Sequence, residues 1–137
     1  MTSQNKILVI GDGILGSEII KQTNWDYISR KKDGIEFTIL ETYNNKMLNY
    51  DTIFNCVAFT ETYSEDKNTS REINYVAVTK LSDFCTIHNK KLIHISTDYL
   101  YSNSVENAKE DDLPLVSENW YTYHKLLADE YILLKNN

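Results

Sequence analysis

The chain has 137 residues, which suffice for one hydrophobic core and predict a single domain over residues 1–137. Its 42% of apolar and 25% of charged residues are typical of a globular protein in water, and no apolar run approaches the roughly 18 residues that a membrane span needs. With 20 acidic and 14 basic residues the net charge is −6, which argues against nucleic acid or an anionic membrane as the main partner.

Hydrophobic periodicity predicts strands and helices that alternate along the chain. Strands are predicted at residues 6–10, 27–29, 35–39, 51–58 and 91–95. Helices are predicted at 14–22, 70–88 and 120–134, with polar connections at 42–49, 64–69 and 102–119. Because strands that alternate with helices form parallel sheets covered on both faces, the predicted fold is α/β, a Rossmann-type doubly wound parallel sheet of about five strands.

A glycine turn, Gly11-x-Gly13-x-x-Gly16, joins the first predicted strand to the first helix. In such a turn the first glycine allows a tight bend, the second lets the backbone approach a pyrophosphate, and the third lets the helix pack on the strand. The helix begins at Ile14 and Leu15, where free N–H groups and the positive end of the helix dipole favour phosphates. The turn predicts a dinucleotide site, and a tight connection without a ligand is the alternative.

A tyrosine–lysine pair opens the last predicted helix. Tyr121 and Lys125 are four residues apart and therefore share one helix face. The lysine ammonium favours the phenolate, so that Tyr121 can give a proton to a carbonyl oxygen while a hydride reaches the carbon. Thr97, after the fifth predicted strand, can polarise the same carbonyl. Solvated surface pairs are expected at the other occurrences of this spacing, which are Tyr27/Lys31, Tyr63/Lys67 and Tyr131/Lys135.

Further short motifs follow one another along the chain: Asn55 to Thr60, Ile73-Asn74, Ser96 to Tyr99, Glu110 to Asp112, and Tyr121-x-x-x-Lys125. In this order they resemble the extended short-chain dehydrogenase/reductases, and the run STDYLY at 96–101 is the most specific part. The sequence is most similar to the dTDP-4-dehydrorhamnose reductase branch, which reduces a 4-keto nucleotide sugar with NAD(P)H. The resemblance covers essentially the whole chain but only the first half of that family's length, which implies that the C-terminal, substrate-binding part is absent.

The resemblance also implies roles for individual residues. Tyr121 is the implied proton donor, Lys125 orients the cofactor ribose and tunes Tyr121, and Thr97 polarises the carbonyl. Asp98 and Tyr99 are implied neighbours of the substrate. The residues implied along the cofactor are Gly11, Gly13, Ile14, Leu15, Gly16, Ala58, Thr60, Asn74 and Lys125. For Asn74 the alternative is a polar group that bonds only to backbone.

The residues after the second predicted strand, Ser29, Arg30 and Lys31, bear on the choice of cofactor. An NAD site has Asp or Glu here, which accepts hydrogen bonds from the ribose hydroxyls. A guanidinium instead binds a 2′-phosphate, which a carboxylate would repel. The sequence therefore favours NADPH, with NADH as the alternative. Asp33 is the candidate acid for NADH, but it precedes Gly34 and is typical of a turn.

Two functional hypotheses follow. One is an oxidoreductase: a short form of an NAD(P)H-dependent reductase of a 4-keto-6-deoxy nucleotide sugar, in dTDP-rhamnose biosynthesis. The other is a non-catalytic NAD(P)-binding module or partner subunit. The expected assemblies are a homodimer or a complex with a partner that supplies the substrate domain. Leu127, Tyr131 and Leu134 either form the apolar strip of such a homodimer or pack on the sheet.

The two cysteines and three histidines bear on the redox compartment and on metal binding. Cys56 and Cys85 are predicted to be free thiols in a reducing compartment. The N-terminus leads directly into a strand without a signal peptide, so a cytoplasmic location is expected. No metal site is predicted, because His88, His94 and His124 lack the spacing of metal ligands.

Overall fold

The computed structural model describes residues 4–102, 104, 106–112 and 117–135. The strands are β1 (Ile7–Ile10), β2 (Asp26–Ile28), β3 (Thr52–Asn55) and β4 (Lys91–His94). The helices are α1 (Ile14–Thr23), α2 (Arg30–Asp33), α3 (Asn44–Met47), α4 (Lys67–Arg71), α5 (Ala77–Ile87) and α6 (Trp120–Lys135). A π-helical turn, Glu72–Val76, joins α4 to α5, and 3₁₀ turns lie at Leu40–Thr42 and Asp98–Tyr101.

The strands form one parallel sheet in the order β2-β1-β3-β4. Leu8 of β1 lies opposite Asp26 on one side and Ile53 on the other, and Ile53 lies opposite Leu92. Because the chain runs outward from β1 first to one side and then to the other, the strand order reverses beside β1. Ligands of such sheets bind at this point, beyond the carboxyl ends of the strands. The structure thus confirms the predicted Rossmann-type parallel sheet.

The hydrophobic core lies between one face of the sheet and the helical segment of residues 67–87. Leu8, Ile10 and Ile53 of the sheet pack with Val78 and Leu81 of α5, and each of these side chains is at most 1% exposed. Burying an aliphatic side chain of this size contributes roughly 1.5–3 kcal/mol. This packing holds β1 and β3 rigidly at the edge where the candidate site lies.

The opposite face of the sheet packs near α1. Successive strand residues point to opposite faces, so Phe54 faces away from Ile53. Its ring centroid lies 6.3 Å from that of Trp25, and Leu15 and Ile19 of α1 border the same small cavity. Helices therefore cover both faces.

Residues 35–39 do not form the predicted third strand, and the sheet of the described residues has four strands instead of about five. Ile35 and Phe37 are buried, which explains the apolar alternation. However, the chain turns back on itself here. The Glu36 N–H donates to the Thr42 hydroxyl at 3.0 Å, and the Tyr43 hydroxyl donates to the Phe37 carbonyl at 3.0 Å. Local partners thus take up backbone groups that a strand would offer to a neighbour.

The predicted polar connection at 42–49 is also wrong in part, because it contains α3. Tyr43 and Met47 in this segment are buried in the core. Phe37 and Tyr43 stack with their ring centroids 6.1 Å apart. Two large apolar side chains therefore anchor a segment whose other residues are polar.

The two long predicted helices are present, with small differences at their ends. The helical segment 67–87 begins earlier than the predicted 70–88, because the Asp66 carboxylate accepts the Thr69 N–H at 3.0 Å and caps it. The predicted helix 120–134 corresponds to α6. The predicted connection 102–119 contains neither a helix nor a strand at its described positions. Residues 103, 105 and 113–116 lie outside the described part.

The inner face of α6 is more polar than its leucines suggest. Its buried residues are Thr122, His124, Lys125 and Ala128. Leu127 and Tyr131 are half-buried, and Leu134 is 74% exposed. The Tyr131 hydroxyl donates to the Asp83 carboxylate of α5 at 2.7 Å. The helix thus turns polar side chains, and not its leucine strip, toward the helical segment 67–87, which His124 contacts through Ser70, and toward the end of β4, which Lys125 contacts through the Ile95 carbonyl.

Candidate functional site

A crevice runs along the carboxyl edge of β1 and β3. It consists of two adjoining cavities of about 320 and 450 Å³. Both are lined by Gly13, Cys56, Val57 and Ala58. The smaller cavity extends toward β2 and the larger one toward β4 and α6, so the crevice is elongated, as a dinucleotide requires.

The glycine turn forms the floor between the two cavities. Gly11 has φ +98°, and a Cβ on it would meet the Val57 side chain at 2.9 Å. A Cβ on the buried Gly16 would overlap the carbonyl of Gly11. Around Gly13, by contrast, a Cβ would meet no described protein atom within 4 Å. Two glycines are therefore needed by the protein itself, whereas the third leaves open space at the crevice.

The first turn of α1 faces this open space. Gly13 caps the helix without a side-chain hydrogen bond, and Ile14 is 98% exposed. The first N–H groups of a helix have no intrahelical acceptors. They can therefore bind an anion at this point, and the helix dipole adds to the attraction.

The basic segment after β2 borders the smaller cavity through Ser29 and Arg30. The Ser29 hydroxyl donates to the Asp12 carboxylate at 2.9 Å and accepts the Lys32 N–H at 3.0 Å. The Arg30 guanidinium is exposed and lies 2.8 Å from the Glu36 carboxylate, which also lines the cavity. Arg30 thus borders the smaller cavity with its guanidinium paired to a carboxylate of the same cavity.

Two other residues of this segment point elsewhere. Lys31 is exposed and is not among the described residues that line the crevice. The Asp33 carboxylate accepts the Ser29 backbone N–H at 2.9 Å, and Gly34 ends α2 with φ +67°. Asp33 therefore has the local turn contacts that its position before a glycine suggests.

The larger cavity brings the tyrosine–lysine pair to the glycine turn. It is lined by Gly13, Ile14, Leu15, Cys56, Val57, Ala58, Thr60, Ile95, Ser96, Tyr121 and Lys125. Tyr121 is half-buried and Lys125 is 2% exposed. The two side chains come from the first turns of α6, and Asn119 holds this end of the helix because its Oδ1 accepts the Thr122 N–H at 2.9 Å. The phenol of Tyr121 and the side-chain nitrogen of Lys125 thus border the same cavity as the glycine turn.

Lys125 is surrounded by polar groups of β4 and α6. Its Nζ donates to the Ile95 carbonyl and lies 3.5 Å from the His94 Nε2. Burial lowers the pKa of Lys125, and the nearby Asp129 carboxylate opposes this effect. Asp129 in turn accepts a hydrogen bond from the Ser96 hydroxyl, and burial raises its pKa.

The segment after Ser96 leaves the crevice. Thr97 is not among the described residues that line it, and its Oγ1 accepts the Tyr99 N–H at 3.3 Å. Asp98 is exposed. The Tyr99 hydroxyl shares a hydrogen bond with Tyr63, which raises the pKa of Tyr99 to about 12. The structure therefore brings Tyr121 and Lys125, but not Thr97, to the cavity that the glycine turn lines.

Asn74 braces the crevice from behind. It is 1% exposed, in the π-helical turn. Its Oδ1 accepts the Phe59 N–H and its Nδ2 donates to the Phe59 carbonyl, both at 2.9 Å. Because Phe59 follows Ala58, these two bonds fix the strand exit that both cavities share.

The structure adds site residues that the motifs did not single out. Asp12, Glu36, Cys56, Val57, Ser96 and Asp129 line the crevice or bond to residues that do. Burial raises the pKa of Cys56 to about 11, so its thiol is protonated at neutral pH. The position of Asp12 inside the glycine turn was a visible signal. The pairing of Ser96 with Asp129 joins α6 to the segment that follows β4, and nothing in the local sequence indicates it.

The residues present fit a nicotinamide dinucleotide. The open space at Gly13 and the uncapped start of α1 suit a pyrophosphate, and Arg30 suits a phosphate or adenine. The buried Lys125 and half-buried Tyr121 border the far end, where a nicotinamide ribose would lie. Within the described residues, no cluster of His, Cys, Asp or Glu could hold a metal ion, and no helix is long and apolar enough to cross a membrane.

One family model matches this chain, and many solved structures share its fold. The family model described as RmlD substrate binding domain matches residues 5–137. A search of curated proteins finds no match. A dTDP-4-dehydrorhamnose reductase from Bacillus anthracis, in complex with NADP, has a TM-score of 0.84 at 19% identity over 98% of this chain and 50% of that chain.

Two further solved structures extend the comparison. A hypothetical dTDP-4-dehydrorhamnose reductase from Sulfolobus tokodaii has a TM-score of 0.80 at 25% identity, over 92% of this chain and 51% of that chain. The Bordetella bronchiseptica enzyme WbmG, in complex with NAD, has a TM-score of 0.79 at 13% identity, over 97% of this chain and 51% of that chain. The chain thus spans about half the length of these structures. The matches confirm the Rossmann-type fold and the resemblance that the motifs indicated.

Proposed function

Because the chain belongs to the family described as RmlD substrate binding domain, we propose that it is the cofactor-binding half of an NAD(P)H-dependent reductase whose substrate is a 4-keto-6-deoxy nucleotide sugar. The observation that carries this proposal is the joint lining of one cavity by Gly13, Tyr121 and Lys125. A phosphate site and a proton donor with a neighbouring amine are the parts that carbonyl reduction by a dinucleotide needs.

Each part has a defined task in the proposed reaction. When bound, the dinucleotide supplies a hydride to the carbonyl carbon. The glycine turn and the start of α1 bind the pyrophosphate, and Lys125 orients the ribose. Tyr121 gives the proton of its hydroxyl to the carbonyl oxygen, and the positive charge of Lys125 stabilises the phenolate that remains.

Thr97, the third member of the proposed machinery, is not among the described residues that line the crevice. Its Oγ1 accepts the Tyr99 N–H, but its own hydroxyl proton is free to be donated to a substrate oxygen. Asp98 and Tyr99 lie next to it in the chain and are proposed substrate contacts. The hydroxyl would polarise the carbonyl that Tyr121 protonates.

NADPH is the proposed cofactor because Arg30 borders the adenosine side of the crevice. A guanidinium binds a 2′-phosphate through two parallel hydrogen bonds. The Arg30 guanidinium forms an ion pair with the Glu36 carboxylate, and a 2′-phosphate would displace that carboxylate. An exposed ion pair of this kind is worth only about 0–1 kcal/mol, so the exchange costs little.

The test measures binding and turnover separately. NADPH and NADH are titrated into the chain by calorimetry, and NADPH oxidation is then followed by absorbance with a 4-keto-6-deoxy nucleotide sugar. The assay is run on the chain alone and with a polypeptide that corresponds to the second half of a dTDP-4-dehydrorhamnose reductase. We expect saturable binding, and turnover that Tyr121→Phe abolishes.

A matched control lies on the same helix. Tyr131 and Lys135 have the same spacing as Tyr121 and Lys125, but both bond to Asp83, away from the crevice. Tyr131→Phe should leave binding and turnover unchanged. Binding without turnover in either assay would support the non-catalytic module instead, and absence of binding would refute both.

A further inference from the structure

Two polar side chains at the carboxyl edge, Asn55 and His94, have no part in the proposed proton transfer. They end β3 and β4 and lie opposite each other in the sheet. The Asn55 Nδ2 lies 3.1 Å from the His94 Nδ1. The other imidazole nitrogen, Nε2, lies 3.5 Å from the Lys125 Nζ. The pair thus connects the middle of the sheet to the lysine of the crevice.

A backbone amide sets the direction of these hydrogen bonds. The Asn55 Oδ1 accepts the Val57 N–H at 3.1 Å, so the amide NH₂ group must face His94. The His94 Nδ1 is therefore an acceptor. A neutral imidazole with a bare Nδ1 carries its proton on Nε2. The N–H of His94 consequently points at the Lys125 nitrogen.

An ammonium cannot accept this hydrogen bond, because it has three donors and no lone pair. The amine form of Lys125 can: it donates to the Ile95 carbonyl and accepts from the His94 Nε2. Burial acts in the same direction. It lowers the pKa of Lys125, and burial together with Lys125 lowers the pKa of His94 to about 3, so His94 is neutral at neutral pH.

The other titratable groups around Lys125 do not cancel this preference. The Asp129 carboxylate favours the ammonium, but it is also bonded to the Ser96 hydroxyl. Tyr121 and Cys56, which line the same cavity, carry no charge while protonated. Asp129 and His94 therefore oppose each other at Lys125: the carboxylate favours the ammonium, and the imidazole N–H favours the amine.

We propose that Asn55 and His94 are positioning residues that present an imidazole N–H to the Lys125 nitrogen and so favour its amine form over a fixed cation. This inference rests on the proposed function, in which Tyr121 loses its proton to the substrate oxygen. An N–H bond of the Lys125 ammonium then breaks, its proton restores the Tyr121 hydroxyl, and Lys125 takes a proton from water. Between these events the amine accepts the hydrogen bond from His94.

The first experiment uses the unaltered chain. Nitrogen NMR of ¹⁵N-histidine-labelled protein reports which imidazole nitrogen carries the proton, and carbon NMR of ¹³C-lysine-labelled protein follows each lysine as the pH rises. We expect His94 to carry its proton on Nε2, and Lys125 to titrate below the other lysines. A proton on the His94 Nδ1, or a Lys125 that titrates with the other lysines, would overturn the proposal. Lys125→Met assigns the signal.

A second experiment removes the N–H without adding charge. His94→Phe should move the Lys125 titration upward by about one pH unit. His88→Phe, on the exposed end of α5, is the matched control and should not move it. An unmoved Lys125 in folded His94→Phe would contradict the proposal, and if that variant does not fold, the measurement on the unaltered chain decides.

The outcome is separable from that of the proposed function. If the chain binds and oxidises NADPH but His94 carries its proton on Nδ1, the proposed role of Asn55 and His94 is wrong, whereas the proposed reductase function is supported. If the NMR results are as expected but NADPH does not bind, the hydrogen-bond pair is present and the proposed function fails, and with it the role of Lys125 in turnover.

Discussion

The glycines of the turn provide a way to separate folding from ligand binding, through Gly13→Ala. The backbone at Gly13 has φ −66°, which any residue adopts, and the added Cβ meets no described protein atom within 4 Å. Alanine is a poorer N-cap than glycine by about 0.5 kcal/mol, but it also restricts the unfolded chain by about 0.5–1 kcal/mol. The two effects nearly cancel, so the free energy of unfolding should change by less than about 0.5 kcal/mol.

Binding should respond differently, because the methyl group fills the space that a pyrophosphate would occupy. We expect at least about a tenfold loss of NADPH affinity, which corresponds to about 1.4 kcal/mol. Gly16→Ala is the matched comparison. Its Cβ would overlap the Gly11 carbonyl, so the unfolding free energy should fall by about 2 kcal/mol and the Tm by about 8 °C.

The assays are urea unfolding and thermal unfolding, both followed by circular dichroism, and calorimetric titration of NADPH. The expected pattern is a normal Tm with weak binding for Gly13→Ala, and a lowered Tm for Gly16→Ala. Unaltered NADPH affinity in Gly13→Ala would refute the reasoning, because the backbone would then not approach the phosphates at this glycine.

Three further predictions follow from contacts around the crevice. Arg30→Ala should lower the affinity for NADPH about tenfold and leave the affinity for NADH nearly unchanged, whereas Glu36→Gln should raise the affinity for NADPH. Equal losses of affinity for both cofactors in calorimetry of Arg30→Ala would exclude Arg30 as a 2′-phosphate ligand. Asn74→Ala removes two hydrogen bonds to the half-buried backbone of Phe59, so urea unfolding should show a loss of about 2 kcal/mol in the free energy of unfolding. The pKa of His94 is lowered to about 3, so between about pH 6.5 and pH 3 the imidazole is protonated in the unfolded chain but not in the folded one. The free energy of unfolding should therefore fall as the pH drops through this range, by up to about 1.4 kcal/mol per pH unit. His94→Gln should flatten that slope in urea unfolding between pH 7 and pH 4, and an unchanged slope would show that His94 is not held neutral.

The parts of the fold that depend on local sequence were predictable. The glycine turn needs particular residues at fixed spacing, and the structure shows why at Gly11 and Gly16, where a Cβ would meet Val57 or the Gly11 carbonyl. The core strands β1, β3 and β4 lie within the predicted ranges because continuous apolar runs are typical of buried parallel strands.

Residues 35–39 show where local pattern fails. The alternation of Ile35 and Phe37 is typical of a strand, but the same two side chains are also buried when the segment turns toward Tyr43. A strand requires a neighbour that takes its backbone hydrogen bonds, and the choice between that neighbour and Thr42 depends on tertiary structure.

The candidate site was predictable where one motif supplies it, and less so where several elements meet. The spacing of Tyr121 and Lys125 places them on one helix face, and the crevice contains both. The polar partners of Lys125 come from β4 and from the next turn of α6, and no spacing rule links His94 or Asp129 to it. Thr97 was placed by motif alone, and its capping bond to Tyr99 became visible only in the structure.

The central claim is that one dinucleotide spans the crevice from the glycine turn to the pair on α6. Amide NMR of the ¹⁵N-labelled chain during an NADPH titration tests it most directly. We predict saturable shift changes in a continuous set of residues: Gly11 to Gly16, Ala58, Thr60, and Tyr121 to Lys125. Absence of saturation would contradict the claim. So would changes confined to the opposite edge of the sheet, around the separate cavity that Asn5, Asn24 and Tyr50 line.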